Sequence, residues 1–547
     1  MTFKKNKLFN IPAIALVLFS IIAASCNKEL NKLPETQLTD AGFWKTTTDL
    51  QNACNYLYSF LPSIDNFPDN MSDVAFSTSP NSVSDGSFLV PATSSDWTNN
   101  YKLIRASNTI LEKAPQVSGD SSIIKRYMGE ASFFRAYAYF QLLERYGNVP
   151  LILRTFDVND TLATAHRTDR ETIVDSIYAD LNYASAHCPL PSALLASEFG
   201  RITSIAALAF KSRVALFEGT WDKFHQQGDY VSHLKVAIAA SDSVINSGQC
   251  SLFVYTPDPD SSYHYLFQYQ GEGPSDKEII LARIYGQNMT NLISGNNISS
   301  DEDNALTTPT RALMDSYLYT DGLPLGKSSL EVPQTTTLSE FQNRDPRAGM
   351  TVFNKNMWYI TSKYQPNFIF TVTGYKFNKW FNAVDRPVYG FIDFAIIRYA
   401  EVLLNYAEAT YELNEGISDN DLNKSINLIR ARVNMPPLTN EFVQSNSLEM
   451  RTEIRRERTV ELAEEGFRYW DLLRWKTAEI ELPKAILGAK YFPAEQGKLD
   501  NPNLTADSII IAEPSTKRMF DPSKDYLWPI PTNELGLDPN LTQNPNW

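Results

Sequence analysis

Residues 127–150 read YMGEASFFRAYAYFQLLERYGNVP, and this stretch carries the clearest periodicity in the chain. Its apolar positions recur every three or four residues: Tyr127, Ala131, Phe134, Ala138 and Leu142. Such spacing predicts an amphipathic helix that buries one face against neighbouring elements. Gly147 and Pro150 at its end are helix-stopping signals. The stretch therefore predicts a long packed helix, and with it a mainly α-helical protein.

Similar patterns lie on both sides of this helix. Apolar stripes at helical spacing run through 206–217 and 399–410, and further helices are predicted near 44–60, 97–114, 170–186, 231–246, 421–433 and 449–475. Several of these segments form antiparallel-looking pairs of the length found in helical-repeat arrays, although no repeating signature is present. The pattern favours stacked helix pairs with little β structure.

The middle of the chain has a different character. Between about 250 and 395 the sequence is rich in Pro, Gly, Asn, Thr and aromatic residues, with turn signals such as Asp321-Gly322. Residues 527–531 must be extended, because prolines at alternate positions forbid a helix. We predict an N-terminal helical region (41–250), a loop-rich insertion (251–395), and a C-terminal helical region with an extended tail (396–547).

The N-terminus reads as an export signal. Lysines at positions 4, 5 and 7 precede an apolar run over 11–24, which ends at Ala23-Ala24-Ser25-Cys26. This run is too short for a stable membrane span, so we predict a signal peptide over 1–25. A cysteine at the first mature position indicates a bacterial lipoprotein acylated at Cys26, for instance with palmitate, although Ala23 stands where Leu is usual. The alternative is an ordinary secreted protein cut nearby. Residues 26–40 would tether the body to the membrane.

Composition restricts the classes of partner. The 547 residues carry 49 basic and 63 acidic side chains, a net charge of −14 without a basic run, which disfavours nucleic acids and anionic lipid surfaces as ligands. Apart from Cys26, the cysteines are Cys54, Cys188 and Cys250. Their number and spacing indicate neither a disulfide framework nor a zinc site, so free buried thiols are expected, with one disulfide as the alternative.

No catalytic or cofactor motif emerges from the sequence. The five histidines have no recognised metal-ligand spacing, and the chain has neither a complete nucleophile elbow nor a phosphate-binding glycine loop. Asp258 and Asp260 resemble the start of a calcium loop, but the required glycine and terminal glutamate do not follow. We therefore predict no catalytic residues, metal or cofactor. A glycosidase carboxylate pair remains an alternative, because such residues meet only in space.

A dense run of charges over 455–474 invites a functional interpretation. On one continuous helix, Arg458 with Glu461, Glu464 with Arg468, and Asp471 with Arg474 would lie three or four residues apart with opposite charges. We therefore interpret the run as a structural ladder of ion pairs.

Taken together, the sequence resembles the SusD/RagB family of surface lipoproteins, which capture nutrients for Bacteroidetes-type bacteria. The resemblance covers nearly the whole mature chain and rests on motifs in this order: Gly129-Glu130-Ala131, Arg135-Ala136-Tyr137, Tyr146-Gly147-Asn148-Val149-Pro150, Phe217-Glu218-Gly219-Thr220-Trp221, Asn343-Arg344-Asp345-Pro346-Arg347, Arg398-Tyr399-Ala400-Glu401-Val402, Tyr406-Ala407-Glu408-Ala409, Glu457-Arg458, Glu461-Leu462, Glu465-Gly466, Arg468-Tyr469, Asp471-Leu472, Arg474-Trp475, Trp528-Pro529-Ile530-Pro531 and Gln543-Asn544-Pro545.

The resemblance implies a body of tetratricopeptide-like helix pairs and an irregular subdomain that carries the ligand site. It implies a protein that is not an enzyme, is anchored in the outer membrane, and captures an oligosaccharide for a TonB-dependent transporter of the SusC type. Capture of a peptide on the same fold is the closest alternative, and a surface glycoside hydrolase is the alternative from another class.

A sugar site needs exposed aromatic rings with polar side chains around them. Two regions meet this requirement: residues 73–100, and the insertion with its Tyr285, Trp358, Tyr359 and Tyr364. For each ring the competing interpretation is core packing, especially for Trp97, which could begin a helix. We predict Trp97 and Trp358 as the main contacts, supported by Asp73, Asn100, Tyr285 and Tyr359.

Overall fold

The computed structural model describes residues 40–64, 68–286, 295–368, 371–387 and 389–547. The predicted signal peptide, Cys26 and all but the last residue of the predicted tether lie outside these residues. The described chain is mainly α-helical, as predicted. Its α-helices are α1 (Asp40–Phe43), α2 (Thr47–Leu57), α3 (Ser82–Asp85), α4 (Ser95–Lys113), α5 (Ser121–Tyr146), α6 (Arg170–His187), α7 (Ser204–His225), α8 (Tyr230–Asn246), α9 (Ser262–Leu266), α10 (Ile298–Asp303), α11 (Arg311–Ser316), α12 (Arg347–Thr351), α13 (Tyr399–Asn414), α14 (Asp419–Lys424), α15 (Ile426–Arg432), α16 (Asn440–Ser445), α17 (Met450–Glu461), α18 (Arg468–Arg474), α19 (Ala478–Glu481), α20 (Pro493–Gln496) and α21 (Thr532–Leu537).

Helices α4 to α8 form the centre of the body, and each packs against the next along the chain. Side-chain caps fix where they begin: the hydroxyl of Ser94 accepts from the backbone of α4, and that of Thr203 accepts from the backbone of α7. Helix α13 returns to pack on α7 and α8, which closes the array. One apolar core runs through all of these helices.

Helix α5, which includes residues 127–146, is buried on more faces than its amphipathic pattern predicts. Glu130 and Glu144, which lie outside the apolar positions named above, are almost completely enclosed. Glu130 is buried because Arg201 pairs with its carboxylate at 2.6 Å and the hydroxyl of Tyr58 donates to it. Neighbouring helices thus cover the polar side as well, and buried partners compensate its charges.

The described strands form three short antiparallel sheets of two strands each. They are β1 (Ala75–Ser77) with β3 (Thr307–Pro309), β2 (Ile279–Arg283) with β4 (Phe394–Arg398), and β5 (Ile486–Lys490) with β6 (Ile509–Glu513). The pairing of β2 with β4 brings the beginning and end of the loop-rich segment together, since Ile279 lies opposite Arg398. The low β content and the irregular middle of the chain match the predicted fold.

The prediction of one helix over 449–475 is wrong. Helix α17 ends at Glu461 and α18 begins at Arg468, because Glu464 and Gly466 adopt left-handed backbone angles, with φ of 63° and 82°. Of the three predicted ladder pairs, only Asp471 with Arg474 is present, at 2.9 Å.

The charged side chains of this segment instead reach other elements. Arg458 pairs with Asp471 at 2.8 Å, and Arg468 forms a two-pronged pair with Asp73. Glu461 accepts from Arg347, Arg398 and Arg432. The charged side chains of all these residues except Arg468 are nearly inaccessible to solvent, so the structural interpretation of the charge run holds while its geometry differs.

The described cysteines Cys54, Cys188 and Cys250 are free thiols, as expected, and the first two are buried. Within the described ranges, no helix combines the length and apolar character needed to cross a bilayer.

Candidate ligand-binding surface

Residues 352–364 form a hairpin, and its outer side is the best candidate for a ligand-binding surface. A bridge joins Trp358 to Lys363 near its tip, and a second bridge joins Val352, at its start, to Phe377 outside the segment. Within it, the backbone N–H of Tyr364 donates to the carbonyl of Met357 at 2.9 Å. We call residues 352–364 the hairpin surface.

Trp358 is the exposed ring of this hairpin, with 68% of its surface accessible, whereas the nearby tryptophan of the insertion core, Trp380, is 1% accessible. Tyr359, the residue after Trp358, anchors the hairpin. The ring of Tyr359 stacks on Phe381, with centroids 5.2 Å apart and planes 20° from parallel, and meets Phe353 edge to face. Because packed rings hold the base, the exposed indole is presented from a rigid support.

Polar groups lie beside this aromatic cluster. The ammonium of Lys376 donates to the hydroxyl of Tyr359 at 3.0 Å and to the carbonyl of Asp303 at 2.7 Å, and burial lowers its pKa. The Asp303 carboxylate also pairs with the exposed Arg386 at 2.5 Å. A flat ring with charged and hydroxyl groups nearby is the combination that sugar rings require.

Trp97 and Asn100 lie on α4, about one turn apart; Trp97 is buried and Asn100 is partly exposed. Trp97 is 5% accessible and packs between Tyr101 and Tyr146. The side-chain amide of Asn100 donates to the carbonyl of Asp96 at 2.7 Å. The structure thus places Trp97 as a core residue at the start of a helix. Its edge still lines a largely apolar cavity of about 420 Å³, together with Tyr101 and residues of the C-terminal tail.

Asp73 and Tyr285 have internal partners. Both carboxylate oxygens of Asp73 accept from Arg468 at 2.8 Å, and this guanidinium holds the pKa of Asp73 below its usual value although burial acts to raise it. Tyr285 is 6% accessible, and its hydroxyl lies 3.1 Å from that of Ser63. Both side chains therefore serve packing and internal bonding in this structure.

The structure brings together Trp358, Tyr359 and Tyr364, and it leaves Trp97, Asp73 and Tyr285 in other packing clusters or ion pairs. Whether any predicted residue contacts a ligand stays a prediction. Sequence reasoning did not identify Lys376, Arg386 or the exposed Tyr389, which is 64% accessible. Tyr389 carried the same aromatic signal as the other rings of the insertion, whereas Lys376 and Arg386 belong to no motif and carried no signal.

Carboxyl groups with raised pKa values lie elsewhere in the insertion. Burial, together with neighbouring Asp393, raises the pKa of Glu272 to about 8, and burial raises that of Asp393 to about 7. Each accepts a backbone N–H at 2.8 Å, Glu272 from Asp393 and Asp393 from Tyr285. Their hydrogen bonds thus hold the loop together, and the pair also offers the test case for the hydrolase alternative.

Two family models match the chain. The SusD family model matches residues 277–547, and a model described as "Starch-binding associating with outer membrane" matches residues 65–216. Both matches fall on regions that carry the motifs and helices described above.

Individual relatives match over nearly the whole length. The chain is 24% identical to SusD-like protein P38 of Formosa agariphila, covering 98% of this chain and 99% of that one. It is also similar to the crystal structure of a SusD-like carbohydrate binding protein from Bacteroides fragilis, with 27% identity and a TM-score of 0.76 over 91% of this chain and 100% of that one. The fold of surface glycan-binding protein A from Bacteroides fluxus is similar as well, with 19% identity and a TM-score of 0.60 over 93% and 100% of the two chains. The two family models, the relatives and the shared fold lead to one conclusion: the chain belongs to the SusD-like family.

Proposed function

We propose that this protein is a cell-surface lipoprotein that captures oligosaccharides and delivers them to a TonB-dependent, SusC-like transporter of the outer membrane. The observation that carries the binding step is the exposed indole of Trp358 on its rigid hairpin. Membership of a family with carbohydrate-binding members supports the ligand class. The sequence of the N-terminus, ending at Cys26, supports the membrane anchor.

Binding of a sugar would place a C–H face on Trp358. The exposed guanidinium of Arg386 would then donate to hydroxyl groups at the edge of the sugar, while the buried Lys376 and the partly buried Asp303 hold Arg386 and Tyr359 in place. Such an arrangement needs no movement of the core, because the supporting rings are already packed. A site of this kind binds its ligand without catalysing a reaction, and the SusC-like transporter would supply the energy for uptake.

The test is calorimetric titration of the purified protein with a panel that includes starch and laminarin oligosaccharides, alongside a peptide digest. We expect Trp358→Ala to weaken glycan binding at least about thirtyfold, which corresponds to about 2 kcal/mol for a hot-spot ring. Tyr56→Ala is the matched control, because Tyr56 is 55% exposed but lies on α2 in the helical body. Equal affinity of Trp358→Ala and the wild type would move the site elsewhere.

Two outcomes would support the alternatives. Saturable binding of the digest without glycan binding would favour peptide capture. Chromatography of the glycans after incubation tests hydrolysis, and cleavage that Glu272→Gln abolishes would favour an enzyme. Delivery is tested separately, by co-purification of the transporter with the membrane-anchored protein.

A further inference from the structure

Three side chains from three different helices converge at one end of the central helix array. Glu171 lies in the first turn of α6, Asp222 in the last turns of α7, and His233 in the first turn of α8. One ligand atom from each lies within 4.8 Å of the others. Their spacing in the sequence matches no local metal-binding motif.

Their distances fit a small metal ion. Nε2 of His233 lies 3.1 Å from Oε2 of Glu171 and 3.7 Å from Oδ2 of Asp222. In a tetrahedral zinc site with bonds of about 2.0–2.1 Å, ligand atoms lie about 3.3 Å apart. The two observed distances lie on either side of this value. The side chain of Glu171 is 48% exposed, so a water molecule can reach the fourth position.

Asp222 gives independent support, because one of its oxygens lacks a hydrogen-bond partner. Its side chain is 2% exposed, and Oδ2 accepts no hydrogen bond from any described residue. A buried carboxylate oxygen without a donor is costly, and a cation at this point would satisfy it. The oxygen is directed towards His233 Nε2, which is the position that a shared ion would require.

A hydrogen bond at the other imidazole nitrogen, Nδ1, orients His233 as a metal ligand. Nδ1 of His233 lies 2.8 Å from the hydroxyl of Tyr178. When Nδ1–H donates to this hydroxyl, the lone pair of Nε2 is directed towards the two carboxylates. Metal-binding histidines commonly have a partner of this kind on their other nitrogen.

The loop between α7 and α8 closes on the same oxygens. Gly228 has φ of 50°, and a Cβ atom there would lie 2.1 Å from Oδ2 of Asp222 and 2.5 Å from Oε1 of Glu171. Only glycine allows the backbone to approach this closely. The carboxylates are therefore enclosed by a tight turn rather than by a side chain.

We propose that Glu171, Asp222 and His233 bind a divalent first-row transition metal, with Zn²⁺ as the best fit, and that the ion clamps α6, α7 and α8 together. Two carboxylates and a neutral imidazole balance a charge of +2. The nitrogen ligand disfavours Ca²⁺ and Mg²⁺, which prefer oxygen. This site is separate from the hairpin surface and serves the helical body rather than ligand capture.

The experiment uses the protein without a histidine tag, stripped with a chelator, and titrated with Zn²⁺ by calorimetry. Metal content after gel filtration is measured by mass spectrometry, and melting is followed with and without Zn²⁺. We expect one equivalent of Zn²⁺ with an affinity of about 1 μM or tighter, and a higher melting temperature when the metal is bound. Co²⁺ should give the absorption of a four-coordinate ion.

His233→Gln and Asp222→Asn should each weaken Zn²⁺ binding at least tenfold and remove the rise in melting temperature. His187→Gln, at the far end of α6, is the matched control and should behave like the wild type. Asp222→Asn keeps the shape of the side chain, so it remains a valid test if His233→Gln does not fold by circular dichroism. Absence of saturable binding, or equal binding by all variants, would overturn the proposal. These measurements do not depend on glycan binding.

Discussion

Neutralising Glu461 should destabilise the protein strongly. This carboxylate, at the end of α17, is fully buried and accepts from Arg432 at 2.6 Å and from Arg347 and Arg398 at 3.0 Å. Although burial acts to raise it, the three guanidinium groups hold the pKa of Glu461 well below its usual range. Glu461→Gln keeps the size of the side chain and removes its charge.

The expected loss of stability depends on the carboxylates that remain around the three arginines. The surrounding charge cluster contains Lys379, Arg347, Arg398, Arg430 and Arg432 with Asp345, Glu278, Glu457, Glu461 and Glu465. Removing one partner of a buried pair typically costs about 3–5 kcal/mol. Because each of the three arginines keeps another carboxylate, we expect the low end, about 3 kcal/mol. This contribution is present above pH about 4.5 and is lost only as the pH falls through the lowered pKa of Glu461.

The assay is equilibrium unfolding in urea at pH 7, followed by circular dichroism. Glu481→Gln is the control, because Glu481 pairs with Lys484 at 2.6 Å on the surface, where the two side chains are 29% and 60% exposed. Such a pair contributes about 1 kcal/mol or less. If Glu461→Gln loses no more free energy of unfolding than Glu481→Gln, the buried cluster does not stabilise the fold as argued.

Three further predictions concern the anchor, the core and the dependence on pH. Cys26→Ser should release the protein from membranes without unfolding it, and unchanged attachment in membrane fractionation would contradict the lipid anchor. Trp97→Ala should cost about 3–5 kcal/mol as a core truncation, whereas the exposed Trp358→Ala should cost far less; thermal melts of the two variants compare them. Burial raises the pKa of Glu302 to about 8 and also raises that of the neighbouring Glu464, so this pair of carboxyl groups keeps protons in the folded protein that the unfolded chain releases above about pH 4.5. Stability should therefore fall as the pH rises from about 5 to 8, and Glu302→Gln should flatten this fall in urea unfolding; an unchanged slope would show that Glu302 does not contribute.

The sequence by itself determined the long helices of the central array and the family, but not the breaks near Ser425 and Glu464. Local signals decide helices, since apolar spacing sets the buried face and capping residues such as Ser94 set the beginning. These signals lie within a few residues of each other, so they can be read along the chain. The loop-rich middle was predictable for the same reason, because proline, glycine and polar residues prevent regular structure locally.

Only the tertiary structure decided which rings are exposed and which charges meet. Trp97 and Trp358 carry similar sequence signals, yet neighbouring helices and the tail cover the first, while a hairpin turns the second outwards. The charges around the break at Glu464 likewise find partners far away in sequence, such as Arg398 for Glu465. Glu171, Asp222 and His233 meet because three helices pack side by side. Burial and contact depend on which elements come together in space, and that is a property of the whole chain rather than of any stretch of it.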